Sequence, residues 1–118
     1  MWTLGCDATD PRKLAEFWAL ALGYVPEPGY ADPDGASIID PAGNGPAIGF
    51  LRVPESKTSK NRVHIDIRLP DEAAVRAKAA ELEQAGATSI REERYDGHFG
   101  HVVMLDPEGN EFCVARHG

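Results

Sequence analysis

The sequence predicts an α+β fold made of two tandem βαβββ modules, and two observations lead to this prediction. The turn sequence DPAGN at 40–44 occurs again as DPEGN at 106–110, and Leu4 matches Ile65 at nearly the same offset. In each half, one helical apolar pattern is followed by short segments of the kind that form strands. We therefore interpret the chain as an internal duplication in which the repeated DPxGN sequence is a structural turn.

The first module covers residues 1–53 and begins with a strand near Trp2–Asp7. A helix follows, because Asp10 is a good N-cap, Pro11 fits the first helical turn and Gly23 provides a stop. Three short strand candidates complete the module: Tyr24–Val25, Ala36–Asp40 and Ala47–Val53.

The second module covers residues 62–118 and follows a linker at 54–61 that is rich in Ser and Lys. Its first strand alternates, with Val63, Ile65 and Ile67 facing the helix and His64, Asp66 and Arg68 on the other face. A helix from about Asp71 to Ala85 ends at Gly86. Three further strands are predicted at Thr88–Glu93, Val102–Asp106 and Glu111–Arg116.

Composition restricts the class of protein. The 118 residues suit a single domain, 1–118, and no apolar run approaches the roughly 20 residues of a membrane-spanning helix. A net charge of −7 without a basic stripe argues against nucleic acid or an anionic membrane as a partner. We read no signal peptide, so we expect a cytoplasmic protein with two reduced cysteines.

Three longer motifs identify a family resemblance. They are DPRKLAEFWALALGY after the first strand, NRVHIDI at the start of the second module and HVVMLDPEGNEFCV at the end of the chain. Together they resemble the glyoxalase-like branch of the vicinal oxygen chelate superfamily. The resemblance implies that the two modules form a curved mixed sheet around a cavity, with the helices on the outer face. Superfamily members include glyoxalases, extradiol dioxygenases and bleomycin-binding resistance proteins, so the fold leaves the function open.

The resemblance also implies metal-ligand positions on the first and last strand of each module. In this sequence His64 keeps a ligand at its position, whereas Thr3 and Cys113 occupy two others, and the fourth falls near Ala47 or Gly49. The cofactor is therefore unknown, and a divalent metal is possible but not expected at the usual positions. Residues that a metal could recruit instead are His98, His101, Asp66 and Glu111.

Strand alternation predicts which side chains line the cavity. We predict His64 and Asp66 as catalytic residues, with His64 acting as a general base beside a carboxylate. The predicted substrate-binding residues are Thr3, Arg68, Glu111 and Cys113.

Plainer interpretations remain open for each of these residues. His64 could be a hydrogen-bonded histidine on a sheet surface, and Asp66 could form a structural ion pair with Arg68. Cys113 is more often an inert buried thiol than a nucleophile. His98 and His101 belong to the sequence DGHFGHV, which is predicted as a Gly-rich loop that enters a strand. They could gate a cavity or face solvent, and we expect them to face solvent.

Two classes of function agree with these residues, and both take a small-molecule ligand. One is a lyase, isomerase or dioxygenase of the glyoxalase type that uses His64 and a degenerate metal site. The alternative is a non-catalytic protein that sequesters its ligand, as the bleomycin-resistance members do. Superfamily members close their cavities either between two modules of one chain or by exchange of modules between two chains. The sequence leaves both arrangements open, and we expect a homodimer.

Overall fold

The computed structural model describes residues 1–116, so the last two residues of the predicted second module lie outside the described residues. The chain divides into two compact units, Met1–Ser56 and the part from Lys57 onward. The α+β class and the two βαβββ modules are confirmed. The single domain and the homodimer stay predictions. No helix within residues 1–116 has the length and apolar character needed to cross a membrane.

The first unit is a four-stranded mixed sheet with one helix. Its elements are β1 (Thr3–Ala8), α1 (Pro11–Leu22), β2 (Val25–Pro26), β3 (Gly35–Ile39) and β4 (Ala47–Arg52). The strand order is β1-β4-β3-β2, with β1 parallel to β4. As predicted, Asp10 caps α1 by accepting a hydrogen bond from the Lys13 N–H at 3.2 Å, and Gly23 ends the helix with φ 71°. The helix buries an apolar face of Pro11, Leu14, Ala15, Phe17, Trp18 and Ala21.

The second unit repeats this arrangement. Its elements are β5 (Asp66–Leu69), α2 (Glu72–Gln84), β6 (Thr88–Tyr95), β7 (His98–Leu105) and β8 (Glu111–Arg116). The strand order is β5-β8-β7-β6, with β5 parallel to β8. Asp71 caps α2 through the Ala74 N–H at 2.8 Å. The helix α2 buries three residues: Val75, Ala79 and Leu82.

The repeated DPxGN sequence forms the same turn in both units. Asp40 and Asp106 each accept hydrogen bonds from the backbone N–H groups two and four residues later, at distances of 2.9 to 3.1 Å. Gly43 and Gly109 occupy equivalent positions with φ 75° and 86°, where glycine is favoured. The interpretation of DPxGN as a structural turn is confirmed, because each Asp carboxylate accepts hydrogen bonds from backbone N–H groups of its own turn.

The first strand of the second unit begins later than predicted. β5 starts at Asp66, and Val63, which we expected to pack against the helix, is 71% exposed. The pairing with β8 begins where the Cys113 N–H donates to the Ile65 carbonyl at 3.0 Å. Before that point the chain is held by side-chain contacts, since the Asn61 N–H donates to Glu111 Oε2 at 3.0 Å. The alternation of apolar and polar residues in the sequence thus begins at Val63, three residues before the strand starts at Asp66.

The sequence DGHFGHV at 96–102 is predicted as a Gly-rich loop that enters a strand, but the structure has only a two-residue turn before the strand begins. Asp96 and Gly97 form a tight turn with φ 51° and 77°, and β7 starts immediately afterwards at His98. Gly100 lies within β7, and the ring of Tyr95 packs directly over it. A Cβ at this position would stand 2.3 Å from Tyr95 Cε2, closer than packing allows. This glycine therefore makes room for an aromatic ring rather than breaking the strand.

Candidate functional site

The two faces of the second sheet differ in chemical character. Ile67, Phe112 and Val114 are buried on the face that carries α2, as the alternation predicted. Asp66 and Cys113 alternate with them and are directly paired across β5 and β8. Their side chains therefore lie together on the face of the sheet opposite the helix.

A cavity of about 540 Å³ lies against this face. Its volume falls within the range of about 300 to 1,000 Å³ that is typical of small-molecule sites. The polar side chains at its wall are Lys60, His64, Asp66, Arg91, His101, Glu111 and Cys113. Apolar surface is added by Ile90, Val103 and Ala115. All of these residues belong to the second unit.

His64 and Asp66 form a hydrogen-bonded pair at the cavity wall. The distance between His64 Nδ1 and Asp66 Oδ1 is 2.9 Å, and the side chains are 49% and 52% exposed. A carboxylate only accepts hydrogen bonds, so His64 Nδ1 carries the proton in this contact. His64 Nε2 of the neutral ring then keeps a lone pair, which can accept a proton or bind a metal ion.

Cys113 completes the cluster from the neighbouring strand. Its sulfur lies within 4.8 Å of a carboxylate oxygen of Asp66, the residue paired with it across the strands. Burial raises the pKa of the Cys113 thiol, and the negative charge of Asp66 raises that pKa further. The free protein therefore holds this cysteine as a neutral thiol, which disfavours a role as nucleophile.

The three side chains supply three different metal-ligand atoms. A ring nitrogen of His64, a carboxylate oxygen of Asp66 and the sulfur of Cys113 all lie within 4.8 Å of one another. Nitrogen, oxygen and sulfur ligands together are a set that zinc accepts. In donor chemistry the cluster thus fits a divalent metal, although Cys113 stands where the resemblance expects Glu.

Glu111 also borders the cavity, but its carboxylate is bound to the segment before β5. It accepts hydrogen bonds from the Asn61 N–H at 3.0 Å and from Lys57 Nζ at 3.1 Å. Burial acts to raise the pKa of Glu111, but the hydrogen bonds from Asn61 and Lys57 outweigh burial and lower this pKa. The carboxylate therefore stabilises the cavity rim, and its predicted contact with substrate stays a prediction.

Two predicted binding residues, Thr3 and Arg68, are not among the residues that line the cavity. Arg68 is exposed on β5 and is not one of the cavity-lining residues. Within residues 1–116 it forms no ion pair with Asp66, which bonds to His64, so that structural interpretation is wrong. Thr3 belongs to β1 of the first unit. The predicted roles of Arg68 and Thr3 in binding stay predictions.

Arg91 reaches the cavity through a β-bulge that the sequence did not reveal. Ser89 pairs with Met104 and Arg91 pairs with Val103, so Ile90 is an extra residue between the two pairs. Paired residues share a face, and Val103 lines the cavity. In a regular ladder Arg91 would have faced the helix, so the bulge reverses its direction.

Lys60 is a cavity-lining residue that was not predicted, and His101 was named only as a possible metal ligand or gate of the cavity. His101 was expected in solvent, but it is half-buried in β7 and its Nδ1 lies 3.2 Å from the Tyr95 hydroxyl oxygen. Extending the strand prediction back to His98 would have placed His101 on the same face as Val103. Lys60 lies in the predicted linker, where no periodic pattern indicates direction.

Comparison with known families gave one match by sequence. The chain matches the model of the glyoxalase-like domain family over residues 3–115, which is nearly its whole length. A search of curated proteins gave no match.

Solved structures with the same fold have low sequence identity. An enzyme of the glyoxalase/bleomycin resistance protein/dioxygenase family from Burkholderia phytofirmans PsJN has a TM-score of 0.79 at 20% identity, covering 97% of this chain and 95% of that chain. The fosfomycin resistance protein FosX from Mesorhizobium loti has a TM-score of 0.72 at 10% identity, covering 98% and 89%. FosX from Listeria monocytogenes, in a variant complexed with Mn(II) and a dihydroxypropylphosphonic acid, has a TM-score of 0.75 at 13% identity, covering 98% and 87%. At these identities the similarity shows the fold alone.

Proposed function

This chain belongs to the glyoxalase-like domain family, and we propose that it binds a small organic molecule in the cavity of its second unit and moves a proton on that molecule with His64. The observation that carries the proposal is the contact of 2.9 Å between His64 Nδ1 and Asp66 Oδ1 at the cavity wall. The proposed reaction class is that of a lyase or isomerase.

The cavity offers separate surfaces for the two ends of a ligand. Ile90, Val103 and Ala115 provide apolar surface on which a carbon skeleton can pack. The pair of His64 and Asp66 lies at the same wall and would face the reacting carbon. A molecule with an apolar body and one carbonyl or hydroxyl end suits this division.

The contact with Asp66 prepares His64 for proton transfer. The carboxylate accepts the Nδ1 proton, which leaves the lone pair on Nε2 to take a proton from a carbon next to a carbonyl group. The negative charge of Asp66 then stabilises the imidazolium that forms. Returning the proton to a neighbouring carbon completes an isomerisation, whereas loss of a leaving group completes an elimination.

Lys60 is the side chain placed to balance the charge that develops on the substrate. It lines the cavity and, within residues 1–116, forms no ion pair with a carboxylate. An ammonium group near a developing enolate lowers the energy of the transition state. We therefore assign electrostatic stabilisation to Lys60 in the proposed reaction.

The second candidate function is sequestration of the ligand without chemistry. The half-exposed position of His64 and Asp66 favours it, because water screens the interaction on which proton transfer depends. In that case the same cavity holds the molecule and the polar pair supplies a hydrogen bond.

Proton exchange separates the two candidates. A panel of small aldehydes, ketones and hydroxy ketones is incubated with the protein in D₂O, and loss of the signal from the proton next to the carbonyl is followed by NMR. We expect exchange with at least one compound, and a fall of about 10²- to 10⁴-fold in His64→Ala, the usual contribution of a general base. Binding without exchange would favour sequestration, and no binding would contradict both candidates.

A matched pair of variants tests where the compound binds. Ala115→Phe fills the cavity, because Ala115 lies at its wall. Leu51 occupies the corresponding place in the first unit, since Leu51 pairs with Asp7 as Ala115 pairs with Arg68, and it is 52% exposed. We expect Ala115→Phe to abolish binding and Leu51→Phe to preserve it.

A further inference from the structure

We propose that the organic ligand of the second-unit cavity carries a carboxylate, and that Arg91 binds this carboxylate across the sheet from His64. The inference rests on the proposed function, because it names the class of molecule that the same cavity takes. Together with the carbonyl group that the proposed reaction needs, a carboxylate makes the ligand an oxo acid. The position of Arg91 on the sheet and the unused donors of its guanidinium group support this class.

The strand register places Asp66 and Arg91 in one row across the second sheet. Asp66 pairs with Cys113, which pairs with Val103 on the next strand. Val103 pairs in turn with Arg91, and all four residues line the cavity. With strands about 4.8 Å apart, the two ends of this row are about 14 Å apart at the backbone. The proton-transfer pair and the guanidinium group therefore belong to different ends of one cavity.

The surface between the two ends carries no charge. Cys113, a neutral thiol, and Val103 occupy the middle of the row, and Ile90 and Ala115 add apolar surface beside it. A short hydrocarbon segment can pack there. A ligand that reaches both ends then consists of a carbonyl group, an apolar segment and an anionic group, in that order.

Arg91 has N–H donors left for a ligand. Its Nε donates to Glu93 Oε1, and within residues 1–116 Glu93 is the one carboxylate that forms an ion pair with it. The two Nη groups lie outside that contact, and together they can bind a carboxylate in a bidentate manner. The contact with Glu93 also orients the side chain, so less freedom is lost when a ligand binds. The Arg91 side chain is 56% exposed, so a ligand can reach it.

The charge of Arg91 acts inside the cavity. Burial is the main cause that raises the pKa of the Cys113 thiol, and the positive charge of Arg91 opposes this increase. Cys113 lies two strands away from Arg91. The guanidinium group is therefore close enough to the middle of the sheet to act on an anion held there.

The carboxylates at the cavity wall are engaged elsewhere. Asp66 bonds to His64 at 2.9 Å, and Glu111 is bound to the segment before β5. Glu93 takes one N–H of Arg91 and offsets its charge. Because that negative charge lies beside the proposed subsite, a singly charged carboxylate fits it better than a doubly charged phosphate.

The test compares oxo acids with their neutral esters in binding to the full chain. Levulinate and its one-carbon-longer homologue each carry a ketone and a carboxylate separated by a short hydrocarbon segment. The methyl ester of each acid keeps the skeleton and removes the charge. Dissociation constants are measured at neutral pH by NMR titration. We expect each acid to bind about tenfold more tightly than its ester, because only the acid forms charged hydrogen bonds with Arg91.

Variants assign this difference to Arg91. In Arg91→Gln the acids should bind about tenfold more weakly, and the esters as in the wild type. The double variant with Glu93→Gln should stay equally weak, because it removes repulsion by an unpaired Glu93 as a cause. Arg94→Gln is the matched control, since Arg94 lies on the same strand, donates to Glu92 at 2.6 Å and is not a cavity-lining residue. It should bind acids and esters as the wild type does. Circular dichroism confirms that each variant is folded.

Four results would overturn the carboxylate site. They are equal binding of acid and ester to the wild type, a preference for the acid that survives Arg91→Gln, recovery of acid binding in the double variant, and no binding of either acid. Equal binding of acid and ester leaves the proposed function intact, because the cavity still takes the organic molecule. Tight binding of the acids without proton exchange supports the carboxylate site and contradicts the proposed chemistry.

Discussion

In the first unit Gly5 lies opposite Gly49 across β1 and β4, whereas in the second unit Asp66 lies opposite Cys113 across β5 and β8. Thr3 precedes Gly5 by two residues, as His64 precedes Asp66. The two units therefore present the same backbone positions with different chemistry. The duplicated backbone determines which positions bring side chains together. The residues at three of these positions determine whether the side chains can bind a ligand.

The helices of the two units are also held by different forces. α1 buries six residues, including Phe17 and Trp18, whereas α2 buries three smaller ones. Arg76 on α2 adds polar contacts, because it donates to Glu92 of β6 at 3.0 Å and lies 4.9 Å from the ring centroid of Phe99. One helix is thus attached mainly by apolar burial and the other partly by charge.

The strongest test of the comparison is to rebuild the second-unit cluster in the first unit. The substitutions Thr3→His, Gly5→Asp and Gly49→Cys place the three ligand types at the corresponding positions. A Cβ on Gly5 would meet nothing within 4 Å, and one on Gly49 would contact Thr3 Cγ2 at 3.4 Å, so the backbone accepts both side chains. We expect the variant to bind one more equivalent of Co²⁺ than the wild-type protein does in a spectroscopic titration of the reduced proteins.

A thiol-free version of this variant is its control. With Gly49→Ser in place of Gly49→Cys, the cobalt–thiolate charge-transfer band that the full variant adds should be missing. If the full variant binds no more Co²⁺ than the wild type, strand register and ligand type are not sufficient to build a metal site.

The repeated turn provides the second test, because its two copies differ in burial. Asp106 is 3% exposed and also accepts a hydrogen bond from Asn110 Nδ2 at 2.8 Å, whereas Asp40 is only half-buried. We expect Asp106→Ala to lower the free energy of unfolding by about 3 kcal/mol, since buried N–H donors lose a charged acceptor. Asp40→Ala should cost about 1 kcal/mol. Urea unfolding followed by circular dichroism measures both, and equal losses would contradict the role of burial.

The helices, the turns and most strands could be predicted because their signals are local. Asp10 and Gly23 act at their own positions, and the structure confirms both as helix caps. The alternation of Ile67 with its neighbours likewise follows from strand geometry. These parts of the fold depend on few distant contacts.

The candidate site could be predicted only in part, because it depends on contacts between distant segments. His64 and Asp66 were identified from their spacing, but the approach of Cys113 to Asp66 is set by the register of β5 and β8. The direction of Arg91 depends on a bulge opposite Val103, which leaves no local signal. Register and bulges are fixed by tertiary packing, so the sequence pattern does not determine them.

The smallest expected effect concerns the charged attachment of α2. The hydrogen bond from Arg76 is the main cause that lowers the pKa of Glu92 below its ordinary value of 4.5. An unfolded chain holds the proton more tightly than the folded one, so this contribution is complete above about pH 4.5 and is lost as the pH falls through the lowered pKa. Glu92→Gln should therefore reduce the loss of unfolding free energy as the pH falls below 4.5. Its effect at neutral pH should be smaller than that of Asp106→Ala. Urea unfolding between pH 3 and pH 7 measures the slope of the unfolding free energy against pH.

Glu16→Gln is the control on α1, where Glu16 forms no ion pair within residues 1–116, and it should keep the wild-type slope. If both variants flatten the slope equally, charge does not distinguish the attachment of the two helices.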